Sequence, residues 1–203
     1  VLGMARSGTS ALTRVLSLCG ATLPAGMMAA DKANPRGYWE PRKSVYLNRA
    51  ILQRHGSGWW NPAILDVETC NAKDRSATLA SITEYLAGLP AAPLVVIKDP
   101  QIVPLADLWF DAARQAGFAV AAVIAVRHPD EVSGSLQAAA HVAPVHTSAL
   151  WLKANLLSER KTRDIPRVFV DYASLLEDWQ REVKRISAAL FIDLSFDDDR
   201  AID

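Results

Sequence analysis

The first nineteen residues constrain the fold more than any other stretch. Val1-Leu2 reads as the end of a buried strand, Gly3-Met-Ala-Arg-Ser-Gly-Thr-Ser10 as a tight glycine turn, and Ala11 to Cys19 as a helix with apolar Leu12, Val15, Leu16 and Cys19 at helical spacing. Strand, turn and helix in direct succession put the backbone N–H groups of Gly8, Thr9 and Ser10 at a helix N-terminus, where unpaired donors and the helix dipole favour an anion. The pattern is that of a P-loop-like phosphate-binding turn with one departure. The lysine expected after the second glycine is absent, and Arg6 stands two positions before that glycine, which points away from ordinary ATP enzymes. The bland alternative is a plain strand-to-helix turn.

The rest of the chain repeats the alternation. Leu94 to Ile97 and Val120 to Val126 are continuous apolar runs, ending at Lys98-Asp99-Pro100 and Arg127-His128-Pro129. Such runs fit strands buried on both faces of a parallel sheet. A helix is expected after each: Val103 to Ala116, stopped by Gly117, and Pro129 to Ala140, opened by proline and two acids. Arg42 to His55, Asp74 to Leu89 and about Thr147 to Arg163 also read as helices. Val168 to Val170 reads as a short strand, and Leu175 to Leu190 as one closing amphipathic helix. Between the first two helices, Ala21 to Pro41 is rich in Pro, Gly, Asn and Met and reads as an irregular, function-bearing excursion. The expectation is a single domain over residues 1–203, a three-layer α/β/α fold with a central parallel sheet and ligand at the carboxyl ends of its strands.

Composition narrows the ligand. Lys and Arg number 22 and Asp and Glu 22, so no global field attracts nucleic acid or an anionic membrane, and a small charged ligand must be held by a local cluster. Cys19 and Cys70 lack metal-ligand spacing and read as reduced thiols, Cys19 on the apolar face of its helix. No stretch approaches about 20 apolar residues and no signal-peptide pattern is present, so the expected location is cytoplasmic. Because the chain opens inside a strand, further residues are expected before Val1, with room there for an upstream anchor. The acidic Asp197-Asp198-Asp199 reads as a solvated tail.

Three clusters fall at expected strand ends: the first turn with Arg6, then Lys98-Asp99, then Arg127 with Ser135 eight residues on. Together they outline one basic crevice. Arg127 is a fork donor suited to phosphate and Ser135 adds a hydroxyl, so the two can converge on one anion if the intervening helix folds back over the strand end. Read otherwise, Arg127 pairs with Asp130 or Glu131 at the surface, Ser135 is a helix-surface serine, and Lys98 is an exposed strand-end lysine.

With these residues in view, the chain resembles the sulfotransferases that use 3′-phosphoadenosine 5′-phosphosulfate (PAPS). Arg6-Ser7-Gly8-Thr9-Ser10 resembles their 5′-phosphosulfate loop, Arg127 through Ser135 matches the arginine and serine that grip the 3′-phosphate, and Val170-Asp171-Tyr172-Ala173-Ser174-Leu175-Leu176 is similar to a strand-then-helix signature whose tyrosine borders the adenine. The resemblance implies that Arg6 stabilises charge on the bridging oxygen, that Lys98 lies beside the sulfuryl oxygens, that Tyr172 borders adenine and that no metal is required, since a sulfuryl group bears less charge than a polyphosphate. It implies a base for the acceptor as well. The histidine used by some members is replaced by Pro100. Members acting on carbohydrate or tyrosyl groups use a glutamate after the first helix, for which Glu40 in Asn34-Pro-Arg-Gly-Tyr-Trp-Glu-Pro41 is the best match. Glu40 also reads as a helix-start acid favoured by the dipole, with His55 and His128 as secondary candidates.

Departures remain. Nothing here matches the late basic, glycine-containing loop over the 3′-phosphate. The acceptor, a carbohydrate or small molecule, is expected between Ala21 and Asn61 and around His141 to Trp151, where Trp39, Trp59, Trp60 and Trp151 offer stacking surface or simply pack. Two other functions stay open: a P-loop kinase using ATP-magnesium, with Asp99 as metal-binding acid, and a catalytically idle nucleotide-binding module.

Overall fold

A computed structural model describes residues 1–32, 34–65 and 72–195. Cys70 and the acidic Asp197-Asp198-Asp199 lie outside the described residues. The chain is mixed α/β, with a three-stranded parallel sheet in the order β1 (Leu2–Gly3), β2 (Ala122–Val126), β3 (Arg167–Asp171). Between β1 and β2 come α1 (Thr9–Leu18), α2 (Arg42–Arg54), α3 (Ala72–Ala87) and α4 (Ile102–Gln115). Helices α5 (Pro129–Ala140) and α6 (Pro144–Lys161) connect β2 to β3, and α7 (Tyr172–Glu177) and α8 (Trp179–Leu190) follow.

Strand periodicity sorts the core. On β2, Ala122 and Ile124 join Leu2 in a cluster with Ile51, Leu52, Ile82, Leu105 and Leu108 from α2, α3 and α4. The alternate Val123 and Ala125 join Val168 and Val170 in a second cluster with Leu12 and Leu16 of α1 and Val183 and Ile186 of α8. Successive side chains leave opposite faces of a strand, so an all-apolar β2 needs cover on both sides. A third cluster, Met4, Val132, Leu136 and Leu150, packs α5 and α6 against the start of the first turn.

Two expected elements need correction. Leu94 to Ile97 is not a strand: Thr22 makes a single bridge to Val95, receiving Val96 N–H (2.9 Å) and donating to the Leu94 carbonyl (2.9 Å). The next parallel rung would take its donor from residue 24, which is proline and has no N–H, so pairing stops after one residue. The Ile97 carbonyl instead accepts from the Val1 nitrogen at 2.7 Å. The closing helix is two helices, because Asp178 adopts φ −153°, ψ 83°, ending α7 while its carboxylate caps α8 by accepting Arg181 N–H at 2.9 Å. The remaining expected helices are present within a few residues of their predicted limits, including α5 with proline at its first turn. Among the described residues no helix is long and apolar enough to cross a membrane.

Gly3 is where sequence choice bears hardest on the sheet. Its φ is +136°, and a Cβ there would come within 2.5 Å of the Ala125 carbonyl oxygen on β2. Gly3→Ala is expected to destabilise the fold by about 1–3 kcal/mol through backbone strain alone. Urea denaturation checks this, and an unchanged midpoint would refute the close β1–β2 approach.

Candidate functional site

The turn between β1 and α1 is built by two left-handed residues, Arg6 at φ +70° and Gly8 at φ +84°. Gly8 has no alternative: a Cβ there would run into the Tyr172 ring. Arginine at positive φ is strained, and such strain persists only where the surroundings fix it. Here Arg6 Nε donates to Ser135 Oγ on α5 (3.0 Å), and the Arg6 carbonyl accepts from Arg127 Nη1 (3.2 Å). The Arg127 guanidinium also lies over the Tyr172 ring, 4.6 Å from its centroid, and its Nε donates to Glu131 at 2.7 Å. Trp151 of α6 supports that strand end by donating to the Arg127 carbonyl (2.9 Å). Arg6, Gly8, Arg127, Ser135 and Tyr172 thus meet at one place. Ser135 takes its hydrogen bond from Arg6, while Arg127 spans the turn, the tyrosine and Glu131.

The opening of α1 has spare hydrogen-bonding capacity. Gly8 at the N-cap offers no side chain to the first-turn amides. Ser7 is 1% exposed, and its hydroxyl is buried with no hydrogen-bond partner among the described residues. A buried hydroxyl without a partner carries a desolvation penalty. The first-turn amides, Arg6 and Arg127 are donors chemically suited to an anion.

A second group adjoins α1. Lys98 is 3% exposed, so the exposed strand-end reading of this lysine does not apply. Its ammonium donates to Glu40 Oε1 (2.6 Å), the Tyr38 carbonyl (3.0 Å) and Ser10 Oγ (3.2 Å), using all three protons. Ser10 in turn donates to the Tyr38 carbonyl (2.9 Å). Burial pushes the Glu40 carboxyl up, only partly opposed by Lys98, and burial pushes the Lys98 ammonium down, only partly opposed by Glu40. The two values are thereby drawn toward each other, which makes Glu40 a better proton acceptor than an exposed glutamate. Glu40 precedes the N-cap Pro41 of α2 and follows Trp39 at φ +56°. Trp39 is held by its own bond to the Arg36 carbonyl (3.0 Å) and by the Arg14 guanidinium 4.7 Å from its ring centroid. The irregular excursion is therefore pinned at the residue before Glu40.

Beneath Lys98 lies a network that sequence patterns did not single out. Asp99 is fully buried, accepting from Asn48 Nδ2 (2.8 Å) at one oxygen and from the Gln101 backbone N–H (2.9 Å) at the other, while Trp109 donates to Asn48 Oδ1 (2.8 Å). One signal was available: Asn48 is a polar residue on the apolar face of α2, between Val45 and Leu52. The histidines lie elsewhere. His55 is the C-cap of α2, His141 the left-handed C-cap of α5, and His128 an exposed N-cap whose ring accepts Asp130 N–H at 3.4 Å. Cys19 is buried in the core, where burial pushes its thiol up.

Comparisons with models of known protein families, with curated proteins and with solved structures find no match for this chain.

Removing the ammonium in Lys98→Met strands a mostly buried carboxylate, with an expected loss of about 3–5 kcal/mol at neutral pH. The sign with pH follows from the raised Glu40 value. A carboxyl held above its ordinary range contributes stability that is full below that range and lost as pH rises through the raised value. The deficit relative to wild type should therefore be small near about pH 4 and large near about pH 8. Urea titrations at both values check it, and equal deficits would show that the pair does not govern this corner.

Proposed function

We propose that this chain is a sulfotransferase that moves a sulfuryl group from PAPS to a hydroxyl (or an amine) of a carbohydrate or small-molecule acceptor. The reading takes the fold as a three-layer α/β/α sandwich and the turn at Gly3–Ser10 as its P-loop-like phosphate site. The observation that carries it is the meeting of two anion-binding groups at one turn: Arg6 with the N-terminus of α1, and Arg127 with Tyr172 at the ends of β2 and β3, bridged by the Arg6–Ser135 and Arg127–Arg6 hydrogen bonds. A nucleotide with phosphates on both ends of one ribose suits two such groups, and Tyr172, whose ring packs between Gly8 and the Arg127 guanidinium, stands where it can border a base.

On this reading Ser7, Gly8, Thr9 and Ser10 hold the 5′-phosphosulfate, Arg127 and Ser135 the 3′-phosphate, and Arg6 the charge that develops as the bond between sulfur and the bridging oxygen breaks. Glu40 takes the acceptor's proton while the new oxygen–sulfur bond forms, and Lys98, its three protons already given to Glu40, Tyr38 and Ser10, keeps that carboxylate oriented and adds positive charge nearby. Transfer is in line and leaves adenosine 3′,5′-bisphosphate. A kinase is less well supported, because both oxygens of Asp99, its metal-binding acid, already accept protein hydrogen bonds.

Calorimetric titration with adenosine 3′,5′-bisphosphate against ATP-magnesium tests the reading, with binding of the former expected and preference for ATP sinking it. Arg127→Ala should weaken the bisphosphate by about 1.5–3 kcal/mol; unchanged affinity removes Arg127 from the site. Glu40→Gln should leave that affinity intact and slow transfer about 10²–10⁴-fold, and near-normal turnover would reassign the base.

A further inference from the structure

A groove of about 430 Å³ lies beside the turn that follows α2, lined among others by Gln53, Ser57, Gly58, Trp60, Asn61 and His146. That volume is within the range of about 300–1,000 Å³ typical of small-molecule sites. Of the described residues lining it, none is Lys, Arg, Asp or Glu, so none of them offers a counter-charge to an ionic ligand. It offers instead a flat indole, amide groups and a hydroxyl.

The indole is fixed in place. Trp60 is 53% exposed, yet its ring lies so close to Gly58 that a Cβ there would come within 2.7 Å of it. The surrounding backbone is tied to α6 twice: His146 Nε2 donates to the Trp60 carbonyl (2.7 Å), and Lys153 Nζ donates to the Asn61 carbonyl (2.7 Å). Because the carbonyl only accepts, Nε2 carries the proton and a neutral imidazole keeps Nδ1 as an acceptor. Asn61 is held by Ser57 Oγ (3.4 Å) and by Ala63 N–H (3.0 Å). An exposed aromatic face held at low conformational cost, rimmed by neutral donors and acceptors, matches a ligand with one apolar C–H face and hydroxyls around its edge. The groove adjoins the first turn through one shared residue: Gly58 lines both it and a smaller cavity whose wall includes Met4, Ala5 and Trp59, and Ala5 immediately precedes Arg6.

Resting on the transferase reading above, we propose that the Trp60 groove is the acceptor subsite and that it takes a neutral saccharide unit, held by stacking on Trp60 and hydrogen bonds to Gln53, Asn61 and His146. The acceptor is then a carbohydrate, gripped through a unit adjoining the one that receives the sulfuryl group.

The test uses the whole chain on a printed array of oligosaccharides with hexose, N-acetylhexosamine, deoxyhexose and uronic acid units, followed by calorimetry on the best binder. Wild type is expected to bind at least one neutral saccharide, and Trp60→Ala to weaken it by at least about tenfold, the order expected for one lost aromatic contact. Gly58→Ala, which drives a methyl group into the indole, should weaken it similarly. Both variants should keep wild-type affinity for adenosine 3′,5′-bisphosphate, which also reports that they fold. No saccharide binding by wild type, or binding that neither variant changes, overturns the proposal, as does preference for uronic acid units alone. Saccharide binding dependent on Trp60 without bisphosphate binding would leave the groove standing and remove the transferase reading instead.

Discussion

An ammonium group withdrawn from water at Lys98 dictates much of what surrounds it. A buried lysine without acceptors is too costly to keep charged, and here three acceptors arrive from two distant segments: the Ser10 hydroxyl from the first turn of α1, and the Tyr38 carbonyl and Glu40 carboxylate from the excursion after it. The lysine therefore works as a clasp. It closes the irregular 21–41 segment onto α1, and with Arg14 against Trp39 it fixes where Glu40 stands. The clasp has its own foundation in Asp99, whose buried carboxylate is satisfied by Asn48 and Gln101 and which thereby holds the segment carrying Lys98 against α2.

Across the turn, the same economy of charge operates at partial exposure. Arg6 and Arg127 would repel each other were they not separated by acceptors. Arg6 is drawn toward Ser135, and Arg127 is held by Glu131, by the Arg6 carbonyl and by the Tyr172 face. Glycine at position 8 makes this possible twice over, through its positive φ and by leaving room for the tyrosine ring. The result is a donor-rich turn in which the buried Ser7 hydroxyl has no partner among the described residues, beside a buried acid–base pair whose members are each pushed toward their neutral forms.

The legibility of these features in the sequence follows their range. Helices α1, α2, α4 and α5 were readable because apolar periodicity, a stop signal such as Gly117 and a start signal such as Pro129 act within a few residues. The strand expected at Leu94–Ile97 failed because apolar content reports burial and not pairing, and pairing was decided by Pro24, some seventy positions away in the chain. The break at Asp178 was hidden by an amphipathic pattern that runs through it, although aspartate is a common N-cap. Of the site residues, Arg6, Lys98 and Arg127 stood out as cations at apparent strand ends, whereas Asn48 and Trp109 looked like ordinary helix residues until the buried Asp99 gave them a purpose.

What the sequence determined by itself is the local grammar: a glycine turn that frees amides at a helix start, an apolar β2 that demands two covered faces, and a set of charged residues placed at element ends. Tertiary structure alone decided the pairings, because Lys98 and Glu40 are 58 residues apart and Arg6 and Ser135 are 129 apart. Which partner a buried charge finds depends on which segments the packing of helices against the sheet brings into contact, and no spacing along the chain encodes that distance.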